Sequence, residues 1–145
     1  MKKILVSFVL ISFFQTVSAQ EWQTDLDTAK KIALEENRPI VLVFQGSDWC
    51  APCIKLNREI WSTNTFKNYS KEHFVMLLAD FPRKKVNALP DSQQQKNKEL
   101  AEKYNKQGFF PFVVVLDKNG NVLGETGYEK TTPDAYIHHL ESFIK

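Results

Sequence analysis

Ile40-Val41-Leu42-Val43-Phe44-Gln45-Gly46-Ser47-Asp48-Trp49-Cys50-Ala51-Pro52-Cys53 is the stretch on which the reading of the chain turns. Its first five residues are an unbroken apolar run, too short for a typical helix and bounded by Pro39 and Gly46, which predicts a buried strand. Beyond the loop Gln45-Gly46-Ser47-Asp48 the period changes. Cys53, Leu56 and Ile60 recur at i, i+3 and i+7, the stripe of a helix that begins at or just before Cys50 and runs to about Trp61 or Ser62. Pro52 suits its first turn, where a missing N–H has no intrahelical partner to lose.

Both cysteines of the sequence lie at the start of that helix. Free N–H groups and aligned peptide dipoles there favour a negative charge, so the Cys50 thiol is expected to ionise below the ~8.5 of a free cysteine and to act as an exposed nucleophile. Cys53, one turn deeper and away from water, is the expected resolving thiol. A purely structural bridge explains less, because closing so short a loop stabilises by about 2 kcal/mol, against about 3 for a fifteen-residue loop. A metal site built on the pair is the other reading, but His73, His138 and His139 fall at no ligand-like spacing from it.

Trp49-Cys50-Ala51-Pro52-Cys53 after a buried strand resembles the active site of the thioredoxin family. Gly108-Phe109-Phe110-Pro111-Phe112, followed by Val113-Val114-Val115-Leu116, resembles the loop that carries that family's cis-proline and the strand after it. The likeness spans residues 21 to 145 and is strongest at 40 to 56 and 108 to 128. It implies an α/β, thioredoxin-like fold with a central mixed sheet flanked by helices, and a thiol-disulfide oxidoreductase whose catalytic residues are Cys50 and Cys53. The redox-active disulfide would serve in place of a cofactor, with no metal. Trp49, Phe110, Pro111 and Gly127 would bind substrate, with Phe112 either adding to their groove or turning into the core.

Thioredoxins usually carry a buried aspartate six residues before the first cysteine, and here Phe44 stands in that place. An apolar neighbour disfavours the Cys53 thiolate, so resolution is expected to be slower or to rely on another base: Asp80, Glu59 or water. Asp80 ends the next predicted strand, Phe74 to Ala79, where α/β sheets form their reactive crevices. It reads equally well as a solvated strand-end carboxylate. The favoured activity is reduction of protein disulfides. Oxidase or isomerase activity, or a peptide- or metal-binding module without turnover, remain open on the residues alone. The partners implied are protein disulfide or dithiol substrates and an upstream electron donor or acceptor of the cell envelope.

Residues 1 to 19 are of a different kind: Lys2 and Lys3, an apolar run from Ile4 to Phe14, then Val17-Ser18-Ala19 with small residues at a cleavage position. This predicts a signal peptide over 1 to 19, a single domain over 20 to 145 and a periplasmic location. The apolar run is well short of the ~20 residues that span a bilayer, so no anchor is expected after cleavage. Of nineteen basic and seventeen acidic residues the signal would remove two lysines and no acid, leaving charges balanced and giving nucleic acid no general attraction.

The remaining elements follow local signals. Thr24-Asp25-Leu26-Asp27 reads as a capping box before a helix that buries Leu26, Ala29, Ile32 and Ala33 and ends before Pro39. The stretch between Ser62 and Phe74 is polar. Phe81 to Gln95 is longer and more polar than the family pattern, and Arg83-Lys84-Lys85 within it reads as a solvated loop with docking of a partner as the alternative. Asp91 is expected to cap a helix reaching about Asn105, with Leu100, Ala101 and Tyr104 inward. Asp117-Lys118-Asn119-Gly120 predicts a hairpin turn before Asn121 to Thr126. Pro133 should open a last helix, capped by Thr131 or Thr132, that buries Tyr136, Ile137, Leu140, Phe143 and Ile144.

Overall fold

The computed structural model describes residues 20–145, so the expected signal peptide at 1–19 lies outside the described residues. In chain order the elements are β1 (Trp22–Gln23), α1 (Leu26–Glu36), β2 (Ile40–Gln45), α2 (Ala51–Leu56), α3 (Asn64–His73), β3 (Val75–Asp80), α4 (Asp91–Tyr104), β4 (Phe112–Leu116), β5 (Val122–Thr126) and α5 (Pro133–Ser142). The helix of α2 continues through a π-helical turn at Asn57–Trp61. The five strands form one sheet in the order β1-β3-β2-β4-β5. β1 and β2 run parallel to β3, while β4 runs antiparallel to β2 and to β5, so the sheet is mixed as expected.

Alternation along the central strands divides the core into two layers. Val41, Val43, Met76, Val113 and Val115 face α2, α3 and α5 through Leu56, Ile60, Trp61, Phe66, Tyr136 and Leu140. Ile40, Leu42, Phe44, Leu77, Val114 and Leu116 face α1 and α4 through Ala29, Ala33, Leu100 and Tyr104. A strand covered on both sides must be apolar at every position, and all five residues of the run 40–44 are fully buried. β2 lies between β3 and β4 in the middle of the sheet, so the loop after it is held on a rigid base.

Several local expectations are corrected. The polar stretch after Ser62 is helical: Thr63 caps α3 by accepting from the Phe66 N–H, and only Phe66 and Ser70 of the helix are buried, with Tyr69 half-buried against the core, too thin a stripe to announce itself. α1 is capped by Asp25, which accepts from Thr28 N–H and Oγ1, rather than by a box beginning at Thr24. Leu26 and Ile32 are only half-buried beside the fully buried Ala29 and Ala33. α4 takes Pro90 as its N-cap, so Asp91 is its first residue and makes no side-chain cap. Phe143 and Ile144 lie beyond the end of α5 and are half-buried. The turn 117–120 forms with Gly120 at φ 89°, where a side chain would be strained, and Asp117 accepts from the N–H groups of Asn119 and Asn121.

Candidate active site

The loop after β2 doubles back at once. Trp49 and Cys50 N–H groups both donate to the Gly46 carbonyl, at 3.3 and 2.9 Å. Cys50 then has extended backbone angles and stands as the N-cap of α2, its Sγ accepting from the Cys53 N–H at 3.3 Å. Cys50 and Cys53 are joined in a disulfide with their Cα atoms 5.2 Å apart. The Sγ of Cys53 also accepts from the Gly46 N–H at 3.5 Å, so each sulfur faces one backbone donor.

Cys53 is 2 % exposed, as expected of the inner thiol, but Cys50 is only 4 % exposed. The outward face expected of Cys50 is not present in this oxidised state. Ala51 and Pro52 are the exposed residues of the motif.

Trp49 is half-buried. Its Nε1–H donates to the Phe81 carbonyl at 2.7 Å, its indole meets the Phe110 ring edge-on at 5.5 Å between centroids, and the Arg83 guanidinium lies 3.7 Å over its face. Phe81 and Phe110 also meet edge-on, again at 5.5 Å, so three aromatic rings join the loop after β2, the end of β3 and the loop before β4. The peptide Phe110-Pro111 is cis, as the resemblance implied, and Pro111 is buried. Gly127 passes the Pro111 carbonyl so closely that a Cβ would come within 3.3 Å of it. Its own carbonyl accepts from the Tyr136 hydroxyl at 2.8 Å. Phe112 turns inward, stacking on Phe44 at 6.3 Å, and leaves the groove to Trp49, Phe110 and Phe81.

The two expected carboxylates are both engaged. Asp80 accepts from the Ser47 N–H at 2.9 Å and its Oγ at 2.6 Å, which ties the end of β3 to the loop that carries the cysteines. Glu59, on the π-helical turn, accepts from the Tyr128 hydroxyl at 2.8 Å, and that bond, with help from Arg58, holds its carboxyl below the ordinary value.

Two further residues shape the site and gave no signal in the sequence. Asp48 accepts from the N–H groups of Arg83 and Lys84 and from Asn87 Nδ2 at 2.9 to 3.0 Å, and the Arg83 bond above all keeps its carboxyl below the usual range. The buried Asn105 clasps Phe109, donating from Nδ2 to its carbonyl and accepting from its N–H, and so fixes the entry to the Phe110-Pro111 loop. Polar residues in loops are common, and only the fold reveals which of them bridge two loops.

Comparisons with known proteins agree with this geometry. The family model described as a thioredoxin-like domain matches residues 26–144. A disulfide bond reductase of Chlamydia pneumoniae, DsbH, is 36 % identical over 125 residues, covering 86 % of this chain and 73 % of that protein. A solved DsbH oxidoreductase superposes with a TM-score of 0.80 at 32 % identity, covering 99 % of this chain and 94 % of the other. A disulphide isomerase from Xylella fastidiosa Temecula1 shares the fold with a TM-score of 0.61 at 20 % identity, over 83 % of this chain and 88 % of its own. The chain belongs to the thioredoxin-like family and is a thiol-disulfide oxidoreductase.

Proposed function

We propose that the chain, exported to the bacterial periplasm after loss of residues 1–19, uses the reduced Cys50–Cys53 pair to reduce protein disulfides. The observation that carries this reading is the backbone donor of Cys53 aimed at the Cys50 sulfur, an arrangement that stabilises negative charge on Cys50 once the bridge is opened. Reduction rather than oxidation is supported by the likeness to a protein named a disulfide bond reductase. Among the described residues no helix is long and apolar enough to cross a membrane.

The Cys50 thiolate attacks one sulfur of a substrate disulfide, forming a mixed disulfide and releasing the other substrate sulfur as a thiolate that takes up a proton. Cys53 then gives up its proton and attacks Cys50 Sγ. The second substrate sulfur leaves, and the bridge seen in the structure remains. Two electrons have passed from the pair to the substrate, and an upstream dithiol of the envelope must restore them. Trp49 and Phe110 offer the apolar surface against which a substrate segment lies, with Pro111 and Gly127 forming the loop contact behind it.

Phe44 is fully buried and leaves Cys53 without the aspartate of the family pattern. Asp80 and Glu59 are both hydrogen-bonded, to Ser47 and to Tyr128 and Arg58 respectively; we propose Asp80 as the proton acceptor because Ser47 ties it to the loop that carries the pair. Asp80→Asn should then slow the decay of the mixed disulfide without slowing its formation. The function itself is tested by trapping. Cys53→Ala is expected to accumulate mixed disulfides with envelope proteins through Cys50, and Cys50→Ala to accumulate none. Absence of adducts from both variants would favour a binding module without turnover.

A further inference from the structure

The segment after β3 is fastened to the active-site loop more firmly than a solvated loop requires. Asp48, next to Trp49, takes three hydrogen bonds from Arg83, Lys84 and Asn87, and Arg83 lies over the indole face of Trp49. A turn of 3-10 helix at Lys85–Asn87 then lifts the exposed Val86 into solvent, 88 % accessible, beside a groove of about 610 Å3 that runs between this segment and the start of α4.

The charge of that groove is one-sided. Arg83, Lys84, Lys85 and Lys98 line it, and against them stand Asp80 and Asp91. Asp80 is occupied by Ser47, and Asp48 behind the segment by backbone N–H groups and Asn87. Lys98 reaches Glu102 at 3.9 Å, but among the described residues the side chains of Arg83, Lys84 and Lys85 form no ion pair, although Lys84 adds at longer range to the lowering of Asp48. In a sequence whose charges nearly cancel, three adjacent cations that form no ion pair among the described residues stand on a frame beside the loop of the redox pair, one of them over Trp49.

We propose that residues 81–89 are a docking surface for an acidic extended segment of the disulfide client, which Arg83, Lys84 and Lys85 engage while the client's sulfur meets Cys50. Val86 and Leu89 supply apolar contact for the same segment, and Asp48 is the positioning residue that holds the surface in register with Trp49. The inference rests on the proposed reduction of protein disulfides, and it adds a criterion for which ones are chosen. Complementary charge at a rim acts mainly on encounter and selection.

The test separates docking from chemistry. Binding to the full oxidised chain is measured by calorimetry for a cysteine-free peptide rich in glutamate and for its glutamine counterpart. The glutamate peptide should bind about fivefold more tightly, the effect of a few exposed ion pairs, and the preference should fade toward ~1 M salt, where screening is nearly complete. Arg83→Gln/Lys84→Gln/Lys85→Gln should reduce it to within about twofold. Lys84→Glu/Lys85→Glu, which keeps Arg83 on Trp49, should turn the preference toward a lysine-rich peptide. Equal binding of the glutamate and glutamine peptides, or a preference that survives in both variants, overturns the docking surface. Reduction of bis(2-hydroxyethyl) disulfide, which carries no charge, reports on the thiol chemistry independently, so a failure of the proposed function is seen there and not in the binding data.

Discussion

A methyl group added at Gly46 would run into the indole of Trp49. The ring is held in place by Phe81, Phe110 and Arg83, so it can give way only by breaking those contacts. Gly46→Ala should therefore destabilise by about 1–3 kcal/mol, the usual range for overpacking, and shift the Trp49 fluorescence. The same glycine supplies the N–H that faces Cys53 Sγ and the carbonyl that receives Cys50, so thiol-disulfide exchange should slow as well. The cysteines themselves make a second prediction. With one donor aimed at Cys50 Sγ from the first turn of the helix, the reduced Cys50 thiol should ionise below the ~8.5 of a free cysteine and be alkylated faster than Cys53 at neutral pH. Equal rates for the two thiols would remove the distinction between nucleophile and resolving residue. At this scale the sequence already displayed the cysteine pair that closes into a disulfide and the proline whose peptide is cis. Asp48 and Asn105 stayed hidden because their importance lies in partners far along the chain, Arg83 to Asn87 for the one and the cis-proline loop for the other.

Helix caps allow the individual elements to be tested. Thr63→Ala should cost about 1 kcal/mol, since Thr63 satisfies the Phe66 N–H at the start of a helix with little apolar surface to hold it. α1 depends on pH instead. Asp25 receives hydrogen bonds from Lys96 first and from Thr28, which lower its carboxyl from 3.8 to about 2. A carboxyl lowered in the folded state contributes in full above its unfolded value and loses that contribution as pH falls toward the folded one. Asp25→Asn should hence destabilise near neutrality, with the difference from the parent protein shrinking between about pH 4 and about pH 2 in denaturant titrations. Elements with strong periodicity or sharp punctuation were legible: β2 from its apolar run, the β4–β5 hairpin from Asn119-Gly120, and α5 from Thr132-Pro133. α3 was not, because two buried residues among ten make no visible stripe, and β1 is two residues long. Such elements take their structure from the sheet and helices they complete rather than from their own residues.

For the molecule as a whole, the arrangement is a two-layered core that holds one strand-to-helix turn and three approaching loops still. Its central strand was readable because burial on both faces admits only apolar residues. The placement of residues 81–89 against Trp49 was not, since nothing in a basic polar loop reveals what it folds against. The account requires that electrons flow outward from the Cys50–Cys53 pair to client disulfides. Equilibration of the pair with glutathione measures that tendency directly. The account predicts a potential near −270 mV, that of a reductant, and a value near −120 mV, that of a disulfide donor, would contradict it.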